Sequence, residues 1–207
     1  RTQIRLGTRL ALATIYDRWS GRVRSVTGTR TAVAGSAARG IYDARYTYDA
    51  VGNIVRMVDR AQEPGVTHPV LTGVSVTTQR DLTYDAHYRL VGASGRAHQA
   101  LTRPISWRGT AHLSLDNAAA VERYARSYAY DAAGNLTSMV HSADSGTWSL
   151  DYWVSPLSNR STLAEALDGT PLTNPEARFD DAGHMLVLDH LRRIEWSWAG
   201  TLARAVV

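Results

Sequence analysis

The sequence predicts an all-β fold of tandem antiparallel β-hairpins. Three observations carry this. A short string, aromatic–Asp–x–x–Gly followed by an apolar residue two positions on, recurs along the chain. The residues flanking it alternate with the period of two that places successive side chains on opposite faces of a strand. Helical signals are sparse: only Leu115 to Arg126, with Asp116 or Asn117 as an N-cap ahead of Ala118-Ala119-Ala120, supports a short helix.

The copies fall in order. Tyr16-Asp17 leads to Gly21 with one extra residue. Tyr48-Asp49-Ala50-Val51-Gly52 and Tyr130-Asp131-Ala132-Ala133-Gly134 are full copies, and Phe179-Asp180-Asp181-Ala182-Gly183 is another. Tyr84-Asp85-Ala86-His87 has Tyr88 where Gly is expected. Val154-Ser155-Pro156-Leu157 is degenerate, with Ser158 at the Gly position. The copies start near 16, 48, 84, 130, 154 and 179. The last two intervals are 24 and 25 residues, and the earlier 32, 36 and 46 read as one repeat plus insertions. Physically, the aromatic residue ends a strand and Asp opens a tight turn, its carboxylate accepting backbone N–H bonds. Gly takes the left-handed position of a type I turn with a G1 bulge, and the apolar residue starts the return strand.

The flanks agree. In Val121 to Tyr130, the period of two puts Tyr124, Arg126, Tyr128 and Tyr130 on one face. Ile54 to Val58, Val74 to Thr77, Trp148 to Tyr152 and Ile194 to Trp198 read as strands. Glu63 to Pro69 and Asp168 to Pro175 read as loops, from their Pro and Gly content. No linker divides the chain, so residues 1–207 are expected to be a single repeat array.

Composition narrows the function classes. With 207 residues, 44% of them apolar and 20% charged, the chain is long enough for a sizeable core and too apolar for disorder. The most apolar stretch, Leu10 to Tyr16, is seven residues long, far short of the ~20 needed to span a membrane and unlike a signal peptide. With no Cys, disulfides, thiol catalysis and thiolate metal sites are excluded. The net charge is +4 and every basic residue is Arg. The arginines are dispersed, the longest basic run being Arg192-Arg193, which describes a solvated mixed-charge surface rather than a nucleic-acid footprint. The chain opens on Arg1, and is expected to be a piece of something longer.

Candidate chemistry is thin. No metalloprotease, phosphate-loop, nucleophile-elbow or dinucleotide motif occurs. Of seven histidines (His68, His87, His98, His112, His141, His184, His190), the nearest pair, His184 and His190, brackets Asp189 and could meet at a metal. A structural role is the stronger reading, and no metal or cofactor is expected. Asp180-Asp181 reads as one turn residue and one exposed residue rather than an acid–base pair. The tyrosines could form a stacking platform for sugars or peptides. The favoured reading is that they pack on neighbouring repeats with Arg laid over the rings. Asn135-Leu136-Thr137 and Asn159-Arg160-Ser161 match glycosylation acceptors, which matter only in a eukaryotic secretory route.

The repeats resemble the YD-repeat, or Rhs, family. Leu82 to His98, with Tyr88 replacing the turn Gly and Ala-Ser-Gly-Arg-Ala-His following, is similar to a segment of Rhs-type Tc toxin subunits, with Ala97 where Glu is usual. Arg123-Tyr124 to His141, Ser158-Asn159-Arg160, and Gly183-His184-Met185 with Leu188 to Leu191 and Trp196 resemble further segments, with Asp189 where Pro is commoner. The likeness covers residues 16 to 198 or so. It implies that the hairpins join into a long strip-like sheet, part of a spiralling hollow shell around a toxic C-terminal domain. The implied role is a non-enzymatic scaffold, secreted or surface-exposed. Its partners would be the rest of the shell, the enclosed toxin and other toxin-complex subunits. The alternative is a surface module binding carbohydrate or a receptor. The resemblance also implies an Asp-dependent self-cleaving segment with an Asp-Pro-x-Gly-Leu string, which does not occur here. The expected motif residues are Tyr16, Asp17, Gly21, Tyr48, Asp49, Gly52, Tyr84, Asp85, Tyr130, Asp131, Gly134, Phe179, Asp180 and Gly183, all structural.

Overall fold

A computed structural model describes residues 3–7, 9–32, 37–62, 66–67, 75–99, 121–166, 169–188 and 191–206. Eleven strands form one antiparallel sheet: β1 (Gln3–Leu6), β2 (Leu10–Tyr16), β3 (Val23–Arg30), β4 (Arg39–Tyr48), β5 (Ile54–Asp59), β8 (Gln79–Tyr84), β9 (Leu90–His98), β10 (Val121–Tyr130), β11 (Leu136–Ala143), β12 (Gly146–Val154) and β13 (Ser161–Leu163). Each strand pairs with its sequence neighbour in the sheet. A two-stranded ribbon, β6 (Val66–Thr67) and β7 (Ser75–Val76), lies within the connection from β5 to β8. A separate hairpin, β14 (Arg193–Trp196) and β15 (Leu202–Val206), ends the chain.

In this meander every aromatic–Asp turn of the sheet falls at one edge. The other connections of unequal length, 31–38, 60–78, 99–120 and 144–145, fall at the opposite edge. The uneven intervals between copies thus come mainly from the second edge and from strand length, the motif turns differing by a single residue.

The strands form where the alternation is cleanest. Along β10, Tyr124, Arg126, Tyr128 and Tyr130 are half-buried, while Arg123, Ala125, Ser127 and Ala129 are exposed. Gly95 in β9 serves close approach: a Cβ there would lie 2.9 Å from Arg80 Cγ and 3.2 Å from Tyr124 Oη, so its missing side chain makes room for its neighbours. Among the described residues, Ala44 and Val76 are the only buried hydrophobic residues. Among the described residues, the sheet is held by its hydrogen-bond ladder and same-face pairs.

Three local expectations are corrected. Residues Val121 to Arg126 belong to strand β10, not to a helix, because their partners on β9 and β11 outweigh a weak cap signal; residues 115–120 lie outside the described part. Trp198 does not continue the strand of Ile194 but sits in a turn. Within the expected 63–69 loop, Val66–Thr67 is a short strand, the remainder lying outside the described residues.

Candidate functional site

The motif residues converge on the turn edge. In the copies at 16, 48, 84 and 130 the pairing register shifts by one residue just before the aromatic residue, the bulge that a G1 turn requires. The Asp N–H then donates to the residue that leaves the turn: Asp49 to the Asn53 carbonyl, Asp85 to Arg89, Asp131 to Asn135 and Asp180 to His184, each at 3.0 Å. Gly21, Gly52, Gly134 and Gly183 have φ of +67°, +113°, +92° and +88°, conformations that a Cβ disfavours.

Each carboxylate accepts several hydrogen bonds from its own turn. Asp49 Oδ1 accepts from the N–H groups of Val51, Gly52 and Asn53 at 2.7–3.1 Å, and Oδ2 accepts from Asn53 Nδ2 at 2.8 Å. Asp131 holds Asn135 in the same way, at 2.8 and 2.9 Å. Asp85 accepts from the N–H of Arg89 and from its Nε, at 2.9 and 2.7 Å. Asp17 accepts from the N–H and hydroxyl of Ser20, at 2.7 and 2.9 Å. Asp180 meets the N–H and Nδ1 of His184, at 2.8 and 2.9 Å. These bonds favour the charged form, so all five carboxyls sit below the usual range: Asp17 and Asp85 chiefly through backbone N–H groups, Asp131 and Asp180 through the Asn135 and His184 side chains. At Asp49 the same bonds outweigh an opposing desolvation.

Two copies depart from the pattern. Tyr88 occupies the left-handed position with φ +62°, the only non-Gly residue with positive φ among those described, and so carries local backbone strain. In the fifth copy the Ser155 N–H donates to the Arg160 carbonyl at 2.9 Å, the frame of Asp17 and Arg22 (2.7 Å). That turn is one residue longer than its sequence suggests, so Ser158 is not the Gly equivalent. A seventh copy also exists. The register shifts before Trp196, the Ser197 N–H donates to the Thr201 carbonyl at 2.9 Å, and Gly200 has φ +71°. Sequence reasoning missed it because Trp and Ser replace Tyr and Asp. The signal was there in the spacing to Gly200 and Leu202.

Neighbouring turns are tied together in two ways. First, the hydroxyls of Tyr48, Tyr84 and Tyr130 donate to the carbonyls of Val23, Ile54 and Leu90, at 2.7, 3.0 and 2.8 Å. Each acceptor is the first residue of the preceding copy's return strand. Trp196 Nε1 does the same to Met185, at 2.7 Å. Second, the residue leaving the turn alternates between copies. In the first, third and fifth it is Arg22, Arg89 and Arg160. Each lies over the next copy's aromatic ring, at 5.6 Å from Tyr48, 4.9 Å from Tyr130 and 6.0 Å from Phe179. Each also donates to a carbonyl of that next turn: Asp49 at 3.3 Å, Asp131 at 3.1 Å and Asp181 at 2.9 Å. In the second, fourth and sixth copies it is Asn53, Asn135 and His184, which turn back onto their own Asp. The structural unit is therefore a pair of hairpins.

A second cluster lies inside the sheet. His141 on β11 is fully buried and stacked between Tyr124 and Trp148, with centroids at 5.5 and 4.8 Å. Arg126 Nε donates to His141 Nδ1 at 3.0 Å, with its guanidinium over Tyr124 and Trp148. Burial, aided by Arg126, lowers the His141 pKa. Beside it, buried Glu122 accepts from the N–H and hydroxyl of Ser145, at 2.7 and 2.6 Å, pinning the β11–β12 turn.

Among the described residues, the candidate groups of the sequence are engaged in structural contacts. His184 is engaged by Asp180 and stacks on Trp196 at 5.0 Å; His190 lies outside the described residues. Asp181 is exposed, its carbonyl taken by Arg160. Among the described residues no group of three or more His, Asp or Glu could hold a metal ion, and no helix is long and apolar enough to cross a membrane.

Hairpins closed by aromatic–Asp turns and tied turn to turn define the class: an array of β-hairpins of the YD-repeat type. Its relatives are Tc toxin subunits. It is 32% identical over 191 residues (91% of its length) to toxin subunit YenC1 of Yersinia entomophaga, and 27% identical over 190 residues to toxin subunit YenC2 of the same organism. It is homologous to a segment of these proteins and spans 19% of the length of each. Its fold matches part of the Photorhabdus luminescens Tc holotoxin pore, with a TM-score of 0.73 and 26% identity over 97% of this chain and 9% of that one. It matches the TcdB2–TccC3 crystal structure similarly, with a TM-score of 0.72 and 26% identity over 93% of this chain and 9% of that one. No family model matches the chain.

Proposed function

We propose that this chain is a length of wall in the hollow shell of a secreted Tc-type toxin, and that its work is mechanical, not catalytic. The observation that carries this is the way the sheet is consolidated. Its links run along the strip, hairpin to hairpin, and among the described residues Ala44 and Val76 are the only buried hydrophobic side chains. A globular enzyme or lectin needs a core to hold a site rigid; a wall needs continuity along its length. The partners are the rest of the same shell, an enclosed C-terminal toxic domain and the other subunits of the complex. A carbohydrate- or receptor-binding role fits less well, because the hydroxyls of Tyr48, Tyr84 and Tyr130 are committed to backbone carbonyls and Arg22 and Arg89 lie over two of the rings.

The test is electron microscopy of the polypeptide that contains this chain, with limited proteolysis of its C-terminal part. Hollow particles and a protease-resistant C-terminal part support the reading. An open, extended molecule whose C-terminal part is cut freely overturns it. Stoichiometric binding on a glycan array would favour the binding module instead.

A further inference from the structure

We propose that the His141 cluster is an acid-sensitive latch: protonation of His141 opens the sheet at the β11–β12 connection and leaves the motif turns closed. His141 is fully buried and joins three strands, standing opposite Arg126 on β10 and Trp148 on β12. Its contact with Arg126 fixes the form of the ring. A guanidinium Nε carries a hydrogen and can only donate. His141 Nδ1, 3.0 Å away, is therefore the bare acceptor, and the ring proton sits on Nε2. Nε2 is buried as well and finds no hydrogen-bond partner among the described residues.

A second proton has to go onto Nδ1, where it meets the Arg126 N–H. One hydrogen bond then becomes a contact between two donors, both cationic, in a buried slot. The groups facing the ring decide whether anything compensates. From β10 these are Glu122, Tyr124 and Arg126; from β12 it is Trp148, which does not titrate. Tyr124 and Trp148 present aromatic faces that can hold a cation, but the Arg126 guanidinium already lies over both, at 5.1 and 5.8 Å. Glu122 attracts an imidazolium, but its carboxylate is bound to the N–H and hydroxyl of Ser145. Burial and Arg126 outweigh Glu122 and hold the ring below the ordinary imidazole range. The strain is relieved when the ring leaves the slot. Outside it, the imidazolium competes with Ser145 for Glu122, so the same charge loosens the connection.

Position decides where the sheet gives way. His141 stands two residues before the end of β11, beside the 144–145 connection and at the edge opposite the motif turns. At the motif edge the Asp131 turn is tied to its neighbour through Arg89 and Tyr130. The β11–β12 hairpin therefore opens from 144–145 and stays hinged at 131–135. An exposed imidazole of ordinary basicity is mostly neutral at about pH 7.5 and about 30 times more often protonated than not at about pH 5, so the open form should become roughly 30-fold more populated over that range. Free aspartates take up protons near pH ~4 and contribute little there. The latch belongs to the sheet itself and stands whether or not the strip closes into a shell.

The test is hydrogen–deuterium exchange on the full polypeptide that contains this chain, at about pH 7.5 and about pH 5, with rates corrected for the intrinsic effect of pH. Protection over 140–149 should fall at least ~10-fold at the lower pH, while protection over 131–136 and 44–58 changes less than about 2-fold. In His141→Gln, the side-chain oxygen can accept from Arg126 but does not titrate, so protection over 140–149 should be the same at both pH values. Equal protection of the parent at the two pH values would overturn the latch, as would a His141→Gln variant that loses as much as the parent. If that variant does not fold, the parent decides alone: a loss over 140–149 no greater than over 131–136 overturns the latch.

Discussion

Arg89 is the residue whose removal tests the hairpin-pair unit most directly. Its Nη1 donates to the Asp131 carbonyl of the next turn at 3.1 Å, and its guanidinium lies 4.9 Å from the Tyr130 ring centroid. Both contacts are half-buried. A hydrogen bond from a charged donor contributes about 1.5–3 kcal/mol, and a cation–π contact at a partly exposed site about 0.5–1 kcal/mol. The ion pair with Asp85 is partly solvated, and its backbone component survives substitution. Arg89→Leu should therefore cost about 2–4 kcal/mol. Arg56 is the control: it pairs with Asp81 at 2.7 Å within the same sheet, but on an exposed face, so Arg56→Leu should cost less than about 1 kcal/mol. Guanidinium titration gives the two values, and amide exchange locates the effect. Loss of protection should centre on Asp131 and Asn135, 42 residues or more from the substitution in sequence. Equal costs for the two variants, or loss confined to the Asp85 turn, would refute the argument that the arginine staples successive hairpins.

Three further outcomes are expected. Gly134→Val, at φ +92°, should cost about 1–3 kcal/mol and lower the Tm clearly more than Ala133→Val, on the exposed tip of the same turn. Tyr88→Asn should be neutral or raise stability by up to about 1 kcal/mol, because Asn tolerates the left-handed conformation that Tyr88 holds at φ +62°; a marked loss in a melting curve would show that the ring does something the strain argument omits. The pH dependence should have two phases. His141 and the turn aspartates all have folded-state pKa values below those of the unfolded chain, so the unfolded chain protonates first as pH falls. Stability should begin to fall below about pH 6.5 through His141 and again below about pH 4 through the aspartates. His141→Phe should remove the first phase and Asp131→Asn should weaken the second, each read from Tm against pH.

The hairpins and their turns were legible because each is local: six or seven residues contain the strand end, the acceptor, the left-handed position and the return strand. Arg laid over the rings of neighbouring repeats was expected from the composition; what escaped was which copies carry it. Arg22, Arg89 and Arg160 stand at the same turn position as Asn53, Asn135 and His184, yet only the stacking of one turn on the next gives that alternation a meaning. The Val154 copy was misjudged by one residue because no Gly marks its frame. The Trp196 copy was hidden because Ser197 supplies a turn without a carboxylate. For the His141 cluster, the alternation in β10 put Tyr124 and Arg126 on one face. That His141 and Trp148 join them depends on the register of β11 and β12, set by the two-residue connection at Asp144-Ser145.

The two edges of the sheet differ in how they receive a change of length. At the motif turns the variation is confined to one residue, which the first and fifth copies take up within the turn while the flanking strands keep their pairing. The same change in 31–38, 60–78 or 99–120 leaves both flanking hairpins intact, since the register on either side is set at the far edge. An epitope, a fluorophore tag or a protease site belongs in those connections, where the strip can carry new sequence without altering its pitch.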